Sequence, residues 1–224
     1  MKRTLLNMFV VMALAFGTSS CKEKAKEADT TEAQPAAVAE SLTNNYTADA
    51  DNSIIEWKGS KPTGTHNGTI NIETGTLQVK DGEILSGTFL IDMNSITVLD
   101  LEGEYKNNLE SHLKGTVEGK EDHFFNVAKF PTGTFEITET KPMDGGLLLL
   151  SGNLSLKDSK HNISFPVTVT TEGDYITIKS EEFAIDRTKW GVNYGSKTIF
   201  EDLGDKFVND DIVLAVNIKA KKQA

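Results

Sequence analysis

Few side chains in this sequence are spaced to do covalent chemistry. Two carboxylate pairs are adjacent, Glu181 with Glu182 and Asp210 with Asp211. In extended backbone, neighbours point to opposite faces, so neither pair could serve one substrate atom as general acid and base. The four histidines, His66, His112, His123 and His161, match no metal-ligand spacing. No glycine-rich phosphate loop, serine elbow or nucleophilic cysteine is present. We therefore expect no catalysis, no cofactor and no metal. Arg187 is the most informative polar residue, because alternation sets it in phase with Phe183 and Ile185 and turns it inward or toward a barrel mouth. There it could hold a phosphate or carboxylate head group through paired donors. The competing reading is an ion pair with Asp186, Glu181 or Asp205.

Cys21 offers a different chemistry, acylation. Positive charge at Lys2 and Arg3, an apolar run over 7–17 and the small residues Thr18, Ser19 and Ser20 precede it. That is the pattern of a signal peptide, and the run is too short to cross a bilayer. Thr18-Ser19-Ser20-Cys21 resembles a bacterial lipobox, with threonine where leucine is usual. We expect residues 1–20 to be a lipoprotein signal, Cys21 to be lipidated, and the protein to be membrane-anchored in the cell envelope, at the periplasm or the outer-membrane surface. A free thiol in a tail is the other reading.

The elements that position everything else begin further on. Residues 21–45 carry no aromatic and almost no large aliphatic residue, so a flexible tether is expected. Net charge is −10, and two units more negative without Lys2 and Arg3. This balance excludes nucleic acid as a partner, and the lysines within 219–222 read as a short solvated tail.

From residue 46 to 224 the dominant signal has a period of two. Ile163, Phe165, Val167 and Val169 share one face, as do Ile212, Leu214, Val216 and Ile218. Strands with one buried and one wet face belong to antiparallel sheets. They are predicted near 53–58, 69–73, 76–80, 84–93, 133–138, 147–157, 162–170, 174–179, 181–187 and 211–220. Turn chemistry at Asp81-Gly82, Asp144-Gly145-Gly146 and Glu172-Gly173-Asp174 separates several of them. One helix is predicted, with Leu101, Tyr105, Leu109, His112 and Leu113 at helical spacing and Gly115 as its stop. Many short strands with one short helix define an all-β antiparallel barrel or sandwich.

Along most of this stretch the chain resembles the YceI-like, polyisoprenoid-binding family. The resemblance is carried by Tyr46, Ser53-Ile54-Ile55-Glu56-Trp57, His66-Asn67-Gly68 and residues 87–96. It continues through Leu109-Glu110-Ser111-His112-Leu113, Asp122-His123-Phe124-Phe125-Asn126-Val127, Phe130-Pro131 and residues 185–192. Asp158-Ser159-Lys160 and residues 118–121 depart from the family pattern. The resemblance implies a lipocalin-like β-barrel that carries a long apolar lipid in its lumen: an isoprenoid, a quinone precursor or a fatty-chain amide. The expected lining is Trp57, Phe89, Ile91, Met93, Phe124, Phe125, Phe135, Phe165, Phe183 and Ile185, with Arg187, Trp190, His66 and His112 at mouth or rim. The alternative is a filled barrel that binds an envelope protein. A homodimer is left open.

Overall fold

The computed structural model describes residues 24–39 and 43–223. The signal segment and Cys21 lie outside them. The described chain runs β1 (Lys26–Glu27), β2 (Asp29–Glu32), β3 (Asn44–Ala48), β4 (Ile54–Lys61), β5 (Gly64–Lys80), β6 (Glu83–Val98), α1 (Gly103–Lys114), β7 (Thr132–Pro142), β8 (Leu148–Leu156), β9 (Ser159–Glu172), β10 (Tyr175–Ser180), β11 (Phe183–Asp186) and β12 (Asp211–Lys222).

Strands β5 to β10 pair antiparallel in chain order, and β10 pairs with β12. The return from β12 to β5 is made by two strands in series. Residues 212–217 of β12 face β4 and residues 220–222 face β3, and both β3 and β4 pair with β5 on their other side. A ring of backbone hydrogen bonds thus closes, giving the lipocalin-like β architecture expected. Its two-residue turns use the expected chemistry: Asp81 and Gly82 both have positive φ between β5 and β6.

Predicted strands 69–73 and 76–80 are one strand, β5. The burial pattern explains the merger. Ile70 and Ile72 face inward, and so do Leu77 and Val79, which is a change of phase. A register shift between Ile72 and Thr74 supplies it. One extra residue on one strand lets inward apolar facing continue while the strand bends around the barrel. The predicted tail within 219–222 is also wall, since β12 runs to Lys222 and Lys219 lies over the Tyr175 ring, 4.5 Å from its centroid.

The expected tether requires correction. Lys26 and Glu27 pair parallel with Phe183 and Ala184 of β11, and Asp29–Glu32 pairs antiparallel with residues 164–161 of β9. The chain then crosses the outside of the barrel. The Gln34 amide donates to Asn153 Oδ1 (2.9 Å), Asn153 Nδ2 donates to the Gln34 carbonyl (2.6 Å), and the Ala37 amide donates to the Ile137 carbonyl (2.9 Å). Asn153 and Asn162, which alternation turns outward, are consequently buried. Residues 24–39 form a strap. Low hydrophobicity argued against order, yet here the free edges of β9 and β11 supply backbone partners, and only Ala28 has to be apolar.

The helix forms where predicted and stops at Gly115, whose φ of 72° suits a left-handed cap. Its apolar face is narrower than expected. Leu113 is buried and Leu101 and Leu109 pack on the core, but Tyr105 is exposed. Glu110 accepts a hydrogen bond from the Val98 amide (2.9 Å), which ties the helix to the end of β6.

Close backbone approach at one glycine allows β4, β5 and β6 to lie side by side. A Cβ on Gly68 would sit 1.8 Å from the Thr97 carbonyl oxygen and 2.7 Å from Trp57 Cζ2. Gly68→Ala is expected to cost more than about 3 kcal/mol, because backbone as well as a ring must move. Urea denaturation checks this; a loss under about 1 kcal/mol would refute the close-approach account.

Candidate ligand cavity

Inward-facing side chains of the ring do not fill it. They line an apolar cavity of about 160 Å³ that is partly open to solvent. Of the residues expected to line a lumen, Trp57, Phe89, Ile91, Met93, Phe124, Phe125, Phe135, Phe165, Phe183, Ile185 and Arg187 stand on its wall. Phe165 stacks on Phe183 with centroids 4.1 Å apart, and Phe135 tilts against Phe165 at 5.9 Å. Glycine makes room for such rings. A Cβ on Gly152 would fall 2.3 Å from Phe135 Cζ, and one on Gly75 would fall 2.3 Å from Phe89 Cδ1. The aromatic side chains therefore lie across neighbouring strands.

An aliphatic half of the wall escapes a reading that favours aromatic rings. Ile55, Ile70, Ile72, Ile163, Ile178, Leu214, Val216 and Ile218 all line the cavity. Their signal was alternation within strands already predicted. Leu113, Phe124 and Phe125 reach the cavity from α1 and the segment after it, so this excursion covers part of the barrel.

Arg187 is buried, with 2% exposure, but its expected partners are not the ones it finds. Nε donates to the Asn209 carbonyl (3.0 Å), one terminal nitrogen to the Val208 carbonyl (3.0 Å) and the other to the Val192 carbonyl. The nearest paired carboxylate is Asp210, 3.6 Å away, rather than Asp186, Glu181 or Asp205. Burial pulls its pKa below the ordinary guanidinium value, while Asp210 and Asp186 act in the opposite direction. Arg187 thus gathers the two ends of the 192–209 loop while touching the cavity. No sequence signal links it to carbonyls more than twenty positions downstream.

Three residues expected at the mouth or rim lie off the cavity. Trp190 is buried in a turn of 3-10 helix, its indole N–H donating to the Leu154 carbonyl (2.9 Å). His66 Nδ1 is 2.8 Å from Asp100 Oδ2 and fastens β5 to the chain beyond β6. Burial pushes the Asp100 carboxyl up, but the Asn67 amide and His66 outweigh it and hold it below the usual carboxylate range. His112 Nε2 is 2.8 Å from His123 Nδ1, and both rings pack against Tyr194. Eleven residues apart, the two histidines meet because the chain doubles back after Gly115. Among the described residues, no group of three or more His, Cys, Asp or Glu side chains converges on a metal position.

A closed antiparallel wall around an apolar cavity defines the lipocalin-like class of β-barrels. Residues 46–220 match the family model described as YceI-like domain, and the chain belongs to that family. It is similar to the crystal structure of Burkholderia cenocepacia BcnA at a TM-score of 0.59 and 20% identity, covering 78% of this chain and 99% of that one. It is also similar to a polyisoprenoid binding domain from Saccharophagus degradans implicated in plant cell wall breakdown. There the TM-score is 0.56 and the identity 14%, over 80% of this chain and 98% of that one. At these identities the two structures show the fold. No curated protein matches the chain.

The histidine pair carries a pH dependence. Burial first, then the charges of His123 and Lys120, push the His112 pKa below its ordinary value. The unfolded chain therefore takes up this proton before the folded one does. Stability is full above about pH 6.5 and declines as the pH falls from there toward the folded pKa. Urea unfolding at pH 7.5 and 5.5 should show this loss in the parent and a smaller one in His112→Gln. An equal loss in both would assign the acid sensitivity elsewhere.

Proposed function

We propose that the protein binds one long apolar molecule in the barrel cavity and carries or shields it outside the cytoplasm. The observation that carries this reading is a wall made almost wholly of hydrocarbon and aromatic side chains around open space, where a filled barrel would have interlocked them. Transfer from water is worth about 0.8 kcal/mol per buried CH₂, so one isoprene unit gains roughly 3–4 kcal/mol before the costs of binding. Catalytic groups are not needed for such a task, and the cavity wall offers no acid, base or nucleophile. The polyisoprenoid binding domain from Saccharophagus degradans, with the same fold, supports an isoprenoid or similar lipid as the ligand.

One polar atom narrows the choice. The Trp57 indole N–H is buried without an acceptor, on a residue that lines the cavity. An orphaned donor costs on the order of 1–3 kcal/mol, which a ligand oxygen would recover. A long chain with a carbonyl, ether or hydroxyl oxygen therefore fits better than a pure hydrocarbon.

Organic extraction of the purified protein followed by mass spectrometry should release a lipid in stoichiometric amount. Leu156→Trp, which intrudes on the cavity wall, should lower the lipid content at least tenfold while the far-ultraviolet spectrum stays unchanged. Empty extracts from the parent protein, repeated from a native host membrane, would favour a ligand-free barrel that binds an envelope protein instead.

We also propose that Cys21 carries the lipid that holds the protein at the envelope membrane. Two or three acyl chains would make this anchoring stable, whereas a single chain binds marginally. Cys21→Ser should move the protein from the membrane to the soluble fraction on cell fractionation; unchanged membrane recovery would dismiss the anchor.

A further inference from the structure

The ring is closed by two different kinds of wall. Over most of its circumference each strand is bonded to neighbours that bury large side chains. At one seam it is not. β10 pairs with β9 only as far as Ser180 opposite Val167, and the chain then steps away into β11, which continues along β12. Residues 161–164 of β9 are thereby left without a β10 neighbour, and the outer edge of β11 is open as well. Residues 26–32 of the strap occupy this seam, bonded to β11 on one side and to β9 on the other.

We propose that residues 26–32 are a removable wall strand, and that their withdrawal opens a side entrance to the cavity. The proposal rests on the carrier reading above and adds the route its ligand takes. Adjacent strands lie about 4.8 Å apart axis to axis, so removing one leaves a slot about one strand, roughly 5 Å, wide between the flanking backbones, the width of an extended hydrocarbon chain. What lies behind the slot is the cavity itself. Ile163 on β9 and Phe183 and Ile185 on β11 flank the seam, and all three line the cavity.

The strap is also the part of the wall held least. Between Lys24 and Glu32 only Ala28 is buried, so lifting the segment takes one methyl group of its own out of the wall, where lifting β9 would take out Ile163, Phe165 and Val167. Its remaining hold is backbone hydrogen bonds and an exposed ion pair from Lys24 to Asp211 at 3.3 Å, which salt screens. Segments with few buried apolar contacts open at the low end of the local stability range. The stretch beyond Glu32 is fixed differently. Asn153, 2% exposed, exchanges two hydrogen bonds with the Gln34 backbone and accepts a third from Asn162. This clasp keeps the strap on the barrel while its first half swings out. On the helix side, by contrast, Phe124, Leu113 and the carbonyl-bonded Arg187 are buried large side chains that any opening would have to displace.

A cross-link tests the entrance. In the full chain carrying Cys21→Ser, Asp29→Cys with Ser164→Cys places two thiols on directly opposed residues of β2 and β9. Stopped-flow binding of cis-parinaric acid, a fluorescent long-chain fatty acid, should be at least tenfold slower in the oxidised protein and should recover on reduction. Hydrogen exchange in the parent should show the amides of residues 28–32 exchanging at least a hundredfold faster than those of the β8 to β9 ladder. Equal association rates in the two redox states would overturn the side entrance, as would strap amides that exchange no faster than the ladder. Absence of probe binding in both states would remove the carrier reading, and the exchange comparison would then decide by itself whether the strap opens.

Discussion

A β-sheet can surround open space only if every strand finds hydrogen-bonding partners on both edges along its length, and in this barrel the strand that meets this requirement for the others is β12. It pairs with β3 and β4 on one side and with β10 and β11 on the other. Both gaps between the first and last parts of the domain are therefore closed through its 12 residues. Its alternation explains how this is compatible with a cavity. Ile212, Leu214, Val216 and Ile218 face inward, so the closing strand also contributes an aliphatic panel to the lining. Because the last strand must be in place before the first ones have a second neighbour, most stabilising contacts join residues distant in sequence. Such topologies fold slowly and late in closure.

Closure leaves the polar groups of the loops to be satisfied elsewhere, and Arg187 does much of this. Burying a guanidinium is costly unless its donors are used, and here three carbonyls use them, with Asp210 close enough to offset charge. The same side chain gathers Val192 from one end of the long loop and Val208 and Asn209 from the other. A residue that borders the cavity is thus also the pin of the 192–209 loop. The pair of histidines at the end of α1 does similar work, since one ring must donate and the other accept at 2.8 Å.

How much of this could be read from residues alone follows from the range of each signal. Alternation is local and strong, so the inward faces of β9 and β12 were legible, whereas the full aromatic lining came with the family resemblance, Phe124 and Phe125 lying on no strand. Phase changes within β5 were legible as separate strands but not as one bent strand, because a bulge and a turn both interrupt a period of two. Partners set by long-range closure were invisible. Arg187 pairs with carbonyls of the 192–209 loop, and His112 meets His123 only after the chain reverses. The strap was misread for a sound reason, since its composition cannot pay the entropy of folding by burying surface. It is ordered by the edges it fills, and an open edge is a property of the other strands, not of its own residues.

The distribution of charge then limits what the cavity can accept. Among the described residues, the cavity lining has one ionised group, Arg187. Of the five N–H donors of a guanidinium, three are committed to backbone carbonyls, which leaves two for any ligand. A phosphate would have to compete with those carbonyls and with Asp210, and would lose its hydration on the way. An uncharged polar end group avoids that penalty and can still meet the unpaired Trp57 N–H. Under the carrier proposal, this arrangement suits a long uncharged chain, with its affinity supplied by hydrocarbon contact and its orientation by one or two hydrogen bonds. An anionic head group would be confined to the cavity's edge beside Arg187, leaving only the tail inside.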